Sequence, residues 1–139
     1  MDSVTPLDRA YEFEGRAIIS QTDTKGTITF ANRQFCDVSG YKIDELVGQP
    51  HNIVRHPDMP RAVFEKMWKN IKSGQAWHGL IKNLRKDGLY YWIEMEILPI
   101  KNGDDEEIIG YISTAKPTSP SSVQEHTELY RTMMETEVG

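Results

Sequence analysis

The second half of the chain alternates strand-like segments with turn sequences, and this pattern constrains the fold more than any other feature. Segment 77–85 has the alternating side-chain pattern of a strand. Segments 90–100 and 107–115 are rich in β-branched and aromatic residues. Turn sequences at 86–88 and 102–105 separate the three segments. Connections this short join antiparallel neighbours, because parallel strands need a crossover of a dozen or more residues. An antiparallel sheet is therefore predicted.

The first half of the chain predicts a hairpin followed by short helices. Segments 17–22 and 27–30 are strand-like, and the sequence at 23–26 supplies the turn between them. A short helix over 32–38 follows, with an asparagine suited to its N-cap and a glycine suited to its end. A second short helix covers 43–47 and is stopped by a glycine and a proline.

One longer helix and a C-terminal helix complete the predicted elements. Pro60 suits the first turn of the longer helix, apolar residues recur after it at helical spacing, and Gly74 ends it. Residues 117–122 read as a linker rich in proline and serine. The C-terminal helix is predicted to open with a capping box formed by Ser122 and Glu125.

The order of these elements predicts an α+β fold. We expect a five-stranded antiparallel sheet with short helices and one longer helix on one face, plus the C-terminal helix. Such a layout leaves a concavity between the sheet and the helices. The predicted organisation is an N-terminal cap or arm (1–16), a domain with room for one ligand (17–116), a linker (117–122) and a signalling or docking helix (123–139).

Composition argues against several kinds of function. The formal net charge of -5 disfavours nucleic acid as the main partner. No apolar run approaches the ~20 residues of a membrane helix, and the N-terminus lacks a signal-peptide pattern, so we expect a cytoplasmic protein without direct membrane insertion. The single cysteine, Cys36, excludes an internal disulfide and a thiolate metal cluster. Nucleophile-elbow, dinucleotide-fold and zinc-pair motifs are missing, so we expect no enzyme.

Several motifs in this order resemble the PAS family. They lie in the segments TDTKGTITFAN, FCDVSGYKIDELVGQPHNIVRHPDMP and MWKNIKSGQAWHGLIKNLRKDGLYYW. The patterns DxxGxIxxAN, SGY and ELxGxP are typical of PAS domains in general, whereas HNIVRHPDMP is more specific. It is similar to the flavin-binding PAS domain of bacterial aerotaxis (energy-taxis) receptors. The resemblance covers roughly residues 17–115.

This resemblance implies a flavin-binding redox or oxygen sensor domain with FAD as cofactor. It implies a chemotaxis-type transducer or another signalling protein as partner, and a homodimer is a further option. The residues assigned to FAD binding are Asn52, Arg55, His56, Asp58, Trp68, Trp77 and Asn83.

The proline-bracketed stretch before the longer helix suits such a cofactor on its own chemistry. Arg55 offers a planar fork of donors that matches phosphate oxygens. The N-terminus of the helix that begins near Pro60 adds free N–H groups and a favourable field for an anion. A dinucleotide with a pyrophosphate would fit this environment. The alternative is a surface ion pair between Arg55 and Asp58 with an incidental histidine.

The alternation of side chains along a strand predicts which further residues face the pocket. In segment 77–85, Trp77, Gly79 and Asn83 share one face, which offers an aromatic, free space and an amide to a flavin ring. In the next strand the apolar row that is expected to line the pocket is Tyr91, Ile93, Met95 and Ile97. The opposite row is Trp92, Glu94 and Glu96. An aromatic on this charged face often marks a docking place, for the C-terminal helix or for another protein.

Two other functions remain open from the sequence. A haem-based gas sensor would use one of three histidines as its ligand, and these are His51, His56 and His78. A ligand-free PAS module would only mediate assembly. A blue-light sensor of the flavin–cysteinyl type is not expected, because segment 51–55 carries no cysteine and Cys36 lies too early in the chain.

Overall fold

The computed structural model describes residues 4–104 and 106–138, and its centre is a five-stranded antiparallel sheet. The strands are β1 (Ile18–Thr22), β2 (Ile28–Ala31), β3 (Trp77–Leu84), β4 (Tyr90–Lys101) and β5 (Ile108–Pro117). Their order across the sheet is β2-β1-β5-β4-β3. The predicted α+β architecture is confirmed.

Helices lie around the sheet, and all of them except the short 3-10 helix were predicted. They are α1 (Arg33–Ser39), α2 (Ile43–Leu46), a 3-10 helix (His51–Val54), α3 (Arg61–Lys72) and α4 (Pro120–Val138). The Asn32 side chain caps α1 by accepting a 3.0 Å hydrogen bond from the Phe35 N–H. Gly40 follows α1 with a φ of 79°, a left-handed conformation that glycine adopts without strain.

The register of β3 against β4 confirms which side chains were predicted to share a face of the sheet. Gly79 pairs with Met95, Ile81 with Ile93, and Asn83 with Tyr91. Paired residues point to the same side of a sheet. We call the side that carries these residues the inner face, since α3 buries Met67 and Ile71 against it. The side that carries Trp92 and Glu94 is the outer face.

The C-terminal helix begins earlier than predicted. Strand β5 continues through Pro117, and α4 starts at Pro120, so the predicted linker 117–122 is largely absorbed into the two elements. The Ser119 hydroxyl accepts a hydrogen bond from the Ser122 N–H at 3.3 Å and caps the helix, which replaces the predicted capping box. Proline in the first turn of a helix costs little, because its missing N–H would have no intrahelical partner.

The outer face is the docking place of α4. The Tyr130 ring stacks on Trp92 with 6.0 Å between ring centres, and the Tyr130 hydroxyl donates a 2.7 Å hydrogen bond to the Leu80 carbonyl. Trp92 therefore marks the contact with the C-terminal helix, the first of the two options that its position suggested. Within the described ranges, no helix has the length and apolar character to cross a bilayer.

The described part of the N-terminal arm lies along the start of β4. The Tyr11 N–H donates to the Tyr90 carbonyl at 2.7 Å, and the Phe13 ring meets the Tyr91 ring edge-on at 6.0 Å. The arm thus closes one end of the core.

Candidate functional site

A cavity of about 290 Å³ lies between the inner face of the sheet and α3. Small-molecule sites begin at about this size, around 300 Å³. Its apolar walls consist of Phe64, Met67, Trp68, Ile71, Ile81, Met95, Ile97 and Tyr111. Its polar lining includes Ser20, His51, Asn52, Arg55, Asn83 and Ser113. Apolar walls with a few placed polar groups are typical of a site for one organic ligand.

The aromatic wall is held in place by close packing. Trp68 on α3 meets the Tyr111 ring edge-on, with ring centres 5.7 Å apart. Gly26 in the β1–β2 turn leaves room for the indole, because a Cβ atom at this position would lie 3.2 Å from Trp68 Cζ2. The two rings offer a rigid surface to a flat ligand.

Arg55 enters the cavity wall from the loop after the 3-10 helix. Its backbone forms an isolated antiparallel bridge with Asn83 on β3, which ties the loop to the edge strand. Its guanidinium carbon lies 4.2 Å above the centre of the Phe64 ring. This cation–π contact fixes the charged group at the cavity without neutralising it, so the fork remains able to bind an anion.

Asn83 also lines the cavity, with its side chain buried on the inner face. It pairs with Tyr91 on β4, and burial raises the pKa of that tyrosine. The predicted apolar row of β4 divides here, since Met95 and Ile97 line the cavity whereas Tyr91 and Ile93 lie in the surrounding core.

A hydrogen-bonded chain of three side chains, which the sequence did not reveal as a unit, forms the far end of the cavity. Ser20 Oγ lies 2.8 Å from Ser113 Oγ and 3.1 Å from His51 Nε2. The His51 ring stacks on Phe35 with 5.6 Å between ring centres. Burial lowers the pKa of His51, which keeps the imidazole neutral near pH 7. The alternation of side chains along β5 could have placed Ser113 at the cavity, because Ser113 lies on the same face of the strand as Tyr111 and Ala115.

His56 and Asp58 lie outside the cavity. Asp58 accepts a 3.0 Å charged hydrogen bond from Lys82 Nζ on β3, and its own N–H donates to His56 Nδ1 at 3.0 Å. The His56 ring is buried and meets Tyr90 edge-on at 6.3 Å. Burial lowers the pKa of His56, nearby Lys82 lowers it further, and Asp58 opposes both. These residues anchor the loop to the edge strand. The predicted alternative of an Arg55–Asp58 ion pair does not form among the described contacts.

Trp77 has the predicted parity but does not line the cavity. It is buried in the core, and its indole lies over Gly79 of its own strand, where a Cβ atom would approach Trp77 Cζ2 to 2.5 Å. Asn52 is exposed at the rim of the cavity. The structure thus brings Asn52, Arg55, Trp68 and Asn83 together and leaves His56, Asp58 and Trp77 outside. Cofactor binding by any of the seven stays a prediction.

The N-terminus of α3 holds an anion of the chain's own, which corrects the expectation that it is free for a pyrophosphate. Glu137 near the end of α4 accepts hydrogen bonds from the Arg61 and Ala62 N–H groups at 3.0 and 2.9 Å. Arg61 and Glu137 line an open groove of about 530 Å³. Asn52 and Arg55 line both the cavity and the groove.

The three histidines considered for haem occupy different environments. His51 lines the cavity and is bonded to Ser20, and His56 is buried beside the edge strand. His78 lies exposed on the outer face, 3.0 Å from Glu94. Across residues 4–104 and 106–138, no group of three or more His, Cys, Asp or Glu side chains is arranged to hold a metal ion.

Comparisons with known proteins agree with this architecture. The family model of the PAS fold matches residues 28–115. The aerotaxis receptor of Escherichia coli K12 is 41% identical over 116 residues, which cover 84% of this chain and 22% of the receptor. The chain spans less than a quarter of the length of the first curated relatives that it matches, about 22–24%.

Solved structures give the same result. A PAS domain from Colwellia psychrerythraea superposes with a TM-score of 0.67 at 26% identity, covering 73% of this chain and 86% of that one. A light-oxygen-voltage domain, described in connection with a flavin analogue, superposes with a TM-score of 0.67 at 22% identity and covers 87% of each chain. At that identity the likeness concerns the fold alone. The matched family model and the similarity to the aerotaxis receptor together show that this chain belongs to the PAS family.

Proposed function

We propose that this PAS domain binds a flavin, with FAD as the specific cofactor, and reports its redox state to a signalling partner without turning over a substrate. The observation that carries the proposal is the cavity beneath α3, which combines aromatic walls with an amide and a guanidinium. The 41% identity to an aerotaxis receptor supports a sensory function for it.

The residues present fit a flavin. Trp68 and Tyr111 supply flat contact for a ring system, and Asn83 and Ser113 supply donors and acceptors for its polar edge. Arg55 borders both the cavity and the open groove, so it can bind phosphate where a ligand extends from one to the other. A bound flavin would supply electron-transfer chemistry, and the protein would supply position and electrostatics.

The outer face supports the proposed signalling contact. Phe30, Gln21, Ile112 and Leu98 are cross-strand neighbours on it. Phe30 is 46% exposed and Leu98 43% exposed, so a row that is apolar except for Gln21 remains partly open beside the area that α4 covers. Exposed apolar rows of this kind suit a protein partner. We propose a chemotaxis-type transducer, or a second copy of the domain, as that partner.

The test is the identity of the small molecule that co-purifies. We expect yellow protein whose supernatant after denaturation contains FAD by chromatography. FMN alone would preserve the flavin proposal and exclude Arg55 as a pyrophosphate contact, because FMN has a single phosphate. A dominant haem band, or colourless protein from flavin-replete cells, would overturn the proposal.

Matched variants give the control for this test. Replacing Arg55 by Gln should lower FAD affinity roughly ten- to hundredfold, equivalent to about 1–3 kcal/mol. Arg33→Gln is the matched control, because the Arg33 side chain is 95% exposed and does not belong to the cavity lining. Equal FAD affinity in the two variants would contradict the assignment of Arg55.

A further inference from the structure

The number of protons carried by Ser113, Ser20 and His51 limits the directions in which their hydrogen bonds can run. Ser20 Oγ makes two hydrogen bonds, to Ser113 Oγ at 2.8 Å and to His51 Nε2 at 3.1 Å. A serine hydroxyl carries a single proton. Ser20 can therefore donate to only one of the two neighbours, and whenever its proton is used in one of these two bonds it accepts in the other, so the directions of the two bonds are coupled.

Two arrangements satisfy this constraint. If His51 Nε2 carries no proton, Ser20 donates to it, Ser113 donates to Ser20, and the Ser113 hydroxyl offers only lone pairs to the cavity. If His51 Nε2 carries the proton, it donates to Ser20, Ser20 donates to Ser113, and the Ser113 O–H is free to donate. The tautomer of His51 thus decides whether Ser113 is an acceptor or a donor toward a ligand.

The surroundings of the chain favour such a two-state arrangement. Ser20 and Ser113 are 1% and 8% exposed, so water competes little for their hydrogen bonds. Burial keeps His51 neutral, and a neutral imidazole has one N–H and one lone pair. Phe35 packs against the ring, and the backbone N–H of His51 donates a 3.0 Å hydrogen bond to the Gly26 carbonyl; together these contacts hold the residue in place. The proton position can change while the heavy atoms remain.

We propose that Ser113, Ser20 and His51 form a relay that reads the hydrogen-bonding character of the ligand's polar edge and stores it as the tautomer of His51. This inference rests on the proposed flavin function. A ligand atom that accepts from Ser113 selects the Nε2–H tautomer, and a ligand N–H that donates to Ser113 selects the Nδ1–H tautomer. Two-electron reduction of a flavin by an added chemical reductant, with a proton taken from solvent, converts a ring nitrogen from an acceptor into an N–H donor, which is the change the relay registers. His51 stays neutral in this step, because it releases its Nε2 proton and takes up one at Nδ1 by exchange with water, which this partly exposed residue can reach.

The experiment is ¹⁵N NMR of the histidine side chains in flavin-loaded protein, oxidised and then reduced under anaerobic conditions. We expect the protonated nitrogen of His51 to move from Nε2 in the oxidised protein to Nδ1 in the reduced protein. Ser113→Ala should abolish this change. Thr114→Ala is the matched control, because Thr114 is the next residue on β5 and is exposed on the outer face.

A second variant guards against loss of the cofactor in Ser113→Ala. Ser20→Ala removes the central hydroxyl of this hydrogen-bonded series and leaves Ser113 at the cavity. It too should abolish the change of His51 tautomer. If the His51 tautomer does not change on reduction of flavin-loaded wild-type protein, the relay is wrong and the flavin proposal stands. The same conclusion follows if the tautomer still changes in either serine variant. Colourless wild-type protein overturns the proposed function and the relay with it, and visible absorption distinguishes these results.

Discussion

At the scale of single residues, two buried tyrosines differ in one hydrogen bond. The Tyr130 hydroxyl donates to the Leu80 carbonyl at 2.7 Å, and burial raises the pKa of Tyr130 to about 12. Tyr91 is fully buried on the inner face, and its hydroxyl has no partner among the described residues. Burial raises its pKa as well. A buried hydroxyl without a partner costs free energy, whereas a bonded one stabilises the fold.

The two tyrosines therefore predict opposite responses to loss of the hydroxyl. Tyr130→Phe should lower the free energy of unfolding by about 1 kcal/mol, because the Leu80 carbonyl loses its donor. Tyr91→Phe should leave stability unchanged or raise it by up to about 1 kcal/mol, since it removes an unsatisfied group. Urea denaturation of both variants under the same conditions measures the difference. A larger loss in Tyr91→Phe would show that its hydroxyl is bonded in the folded protein.

At the scale of elements, α4 connects the two layers of the domain. Its middle packs on the outer face through Tyr130 and Trp92, and its end reaches the N-terminus of α3 through Glu137. A carboxylate at this position satisfies N–H groups that lack an intrahelical partner and complements the helix dipole. The ion pairs of Arg131 with Glu128 and Glu135 are exposed and local to α4, so they add little to docking.

The docking of the α4 end is predicted to depend on pH. Hydrogen bonds from the Ala62 and Arg61 N–H groups lower the pKa of Glu137 in the docked state. Docking is therefore fully favoured above the ordinary glutamate pKa of about 4.3 and is lost as the pH falls through the lower docked value. The protection factors of the Arg61 and Ala62 amides, which correct the exchange rates for their intrinsic pH dependence, should fall as the pH is lowered across that range.

Substitution tests the same contact at neutral pH. Glu137→Gln removes the charge and should accelerate exchange of these two amides at pH 7. Glu135→Gln, two residues earlier on α4 and paired only with Arg131, is the matched control. Equal exchange rates at Arg61 and Ala62 in the two variants would contradict the docking function of Glu137.

At the scale of the whole molecule, one sheet separates the cavity from α4. Along β4, Ile93 and Met95 face the inner side, while Trp92 and Glu94 face the outer side where Tyr130 docks. A change in polar contacts at the inner face can therefore bias the packing of α4 on the outer face through a single strand. A coupling of about 1–2 kcal/mol would shift the two populations roughly tenfold.

This route predicts redox-dependent exchange on both sides of the contact. In flavin-loaded protein, amide exchange in residues 90–97 and 122–134 should differ between the oxidised and reduced states. Trp92→Ala should blunt the difference and retain the flavin, because the indole lies on the outer face. Leu98→Ala, on the same face and exposed, should preserve the difference. Identical exchange in both redox states with full cofactor occupancy would exclude this route of output.

The elements and their parity were predictable because they depend on neighbours in the chain. Turns need glycine and asparagine at particular positions, and side chains alternate along a strand wherever it lies. Asn83 was therefore placed correctly on the inner face, and Asn32 and Gly40 were correctly read as the ends of α1. The prolines around Arg55 predicted an irregular segment because they restrict the backbone locally, whereas its position beside a ligand site was implied by the family resemblance.

Contacts between distant parts of the chain were decided by the tertiary structure alone. Ser20 is separated by 31 residues from His51 and by 93 residues from Ser113, so no local sequence pattern joins the three. Glu137 reaches Arg61 across 76 residues and fills the anion position that the helix N-terminus alone suggested for a ligand. The sequence by itself determined the strands, turns and faces, because these follow from local sterics and alternation. Only the packed structure decided which side chains meet, since that depends on how α3, α4 and the sheet bury their surfaces against one another.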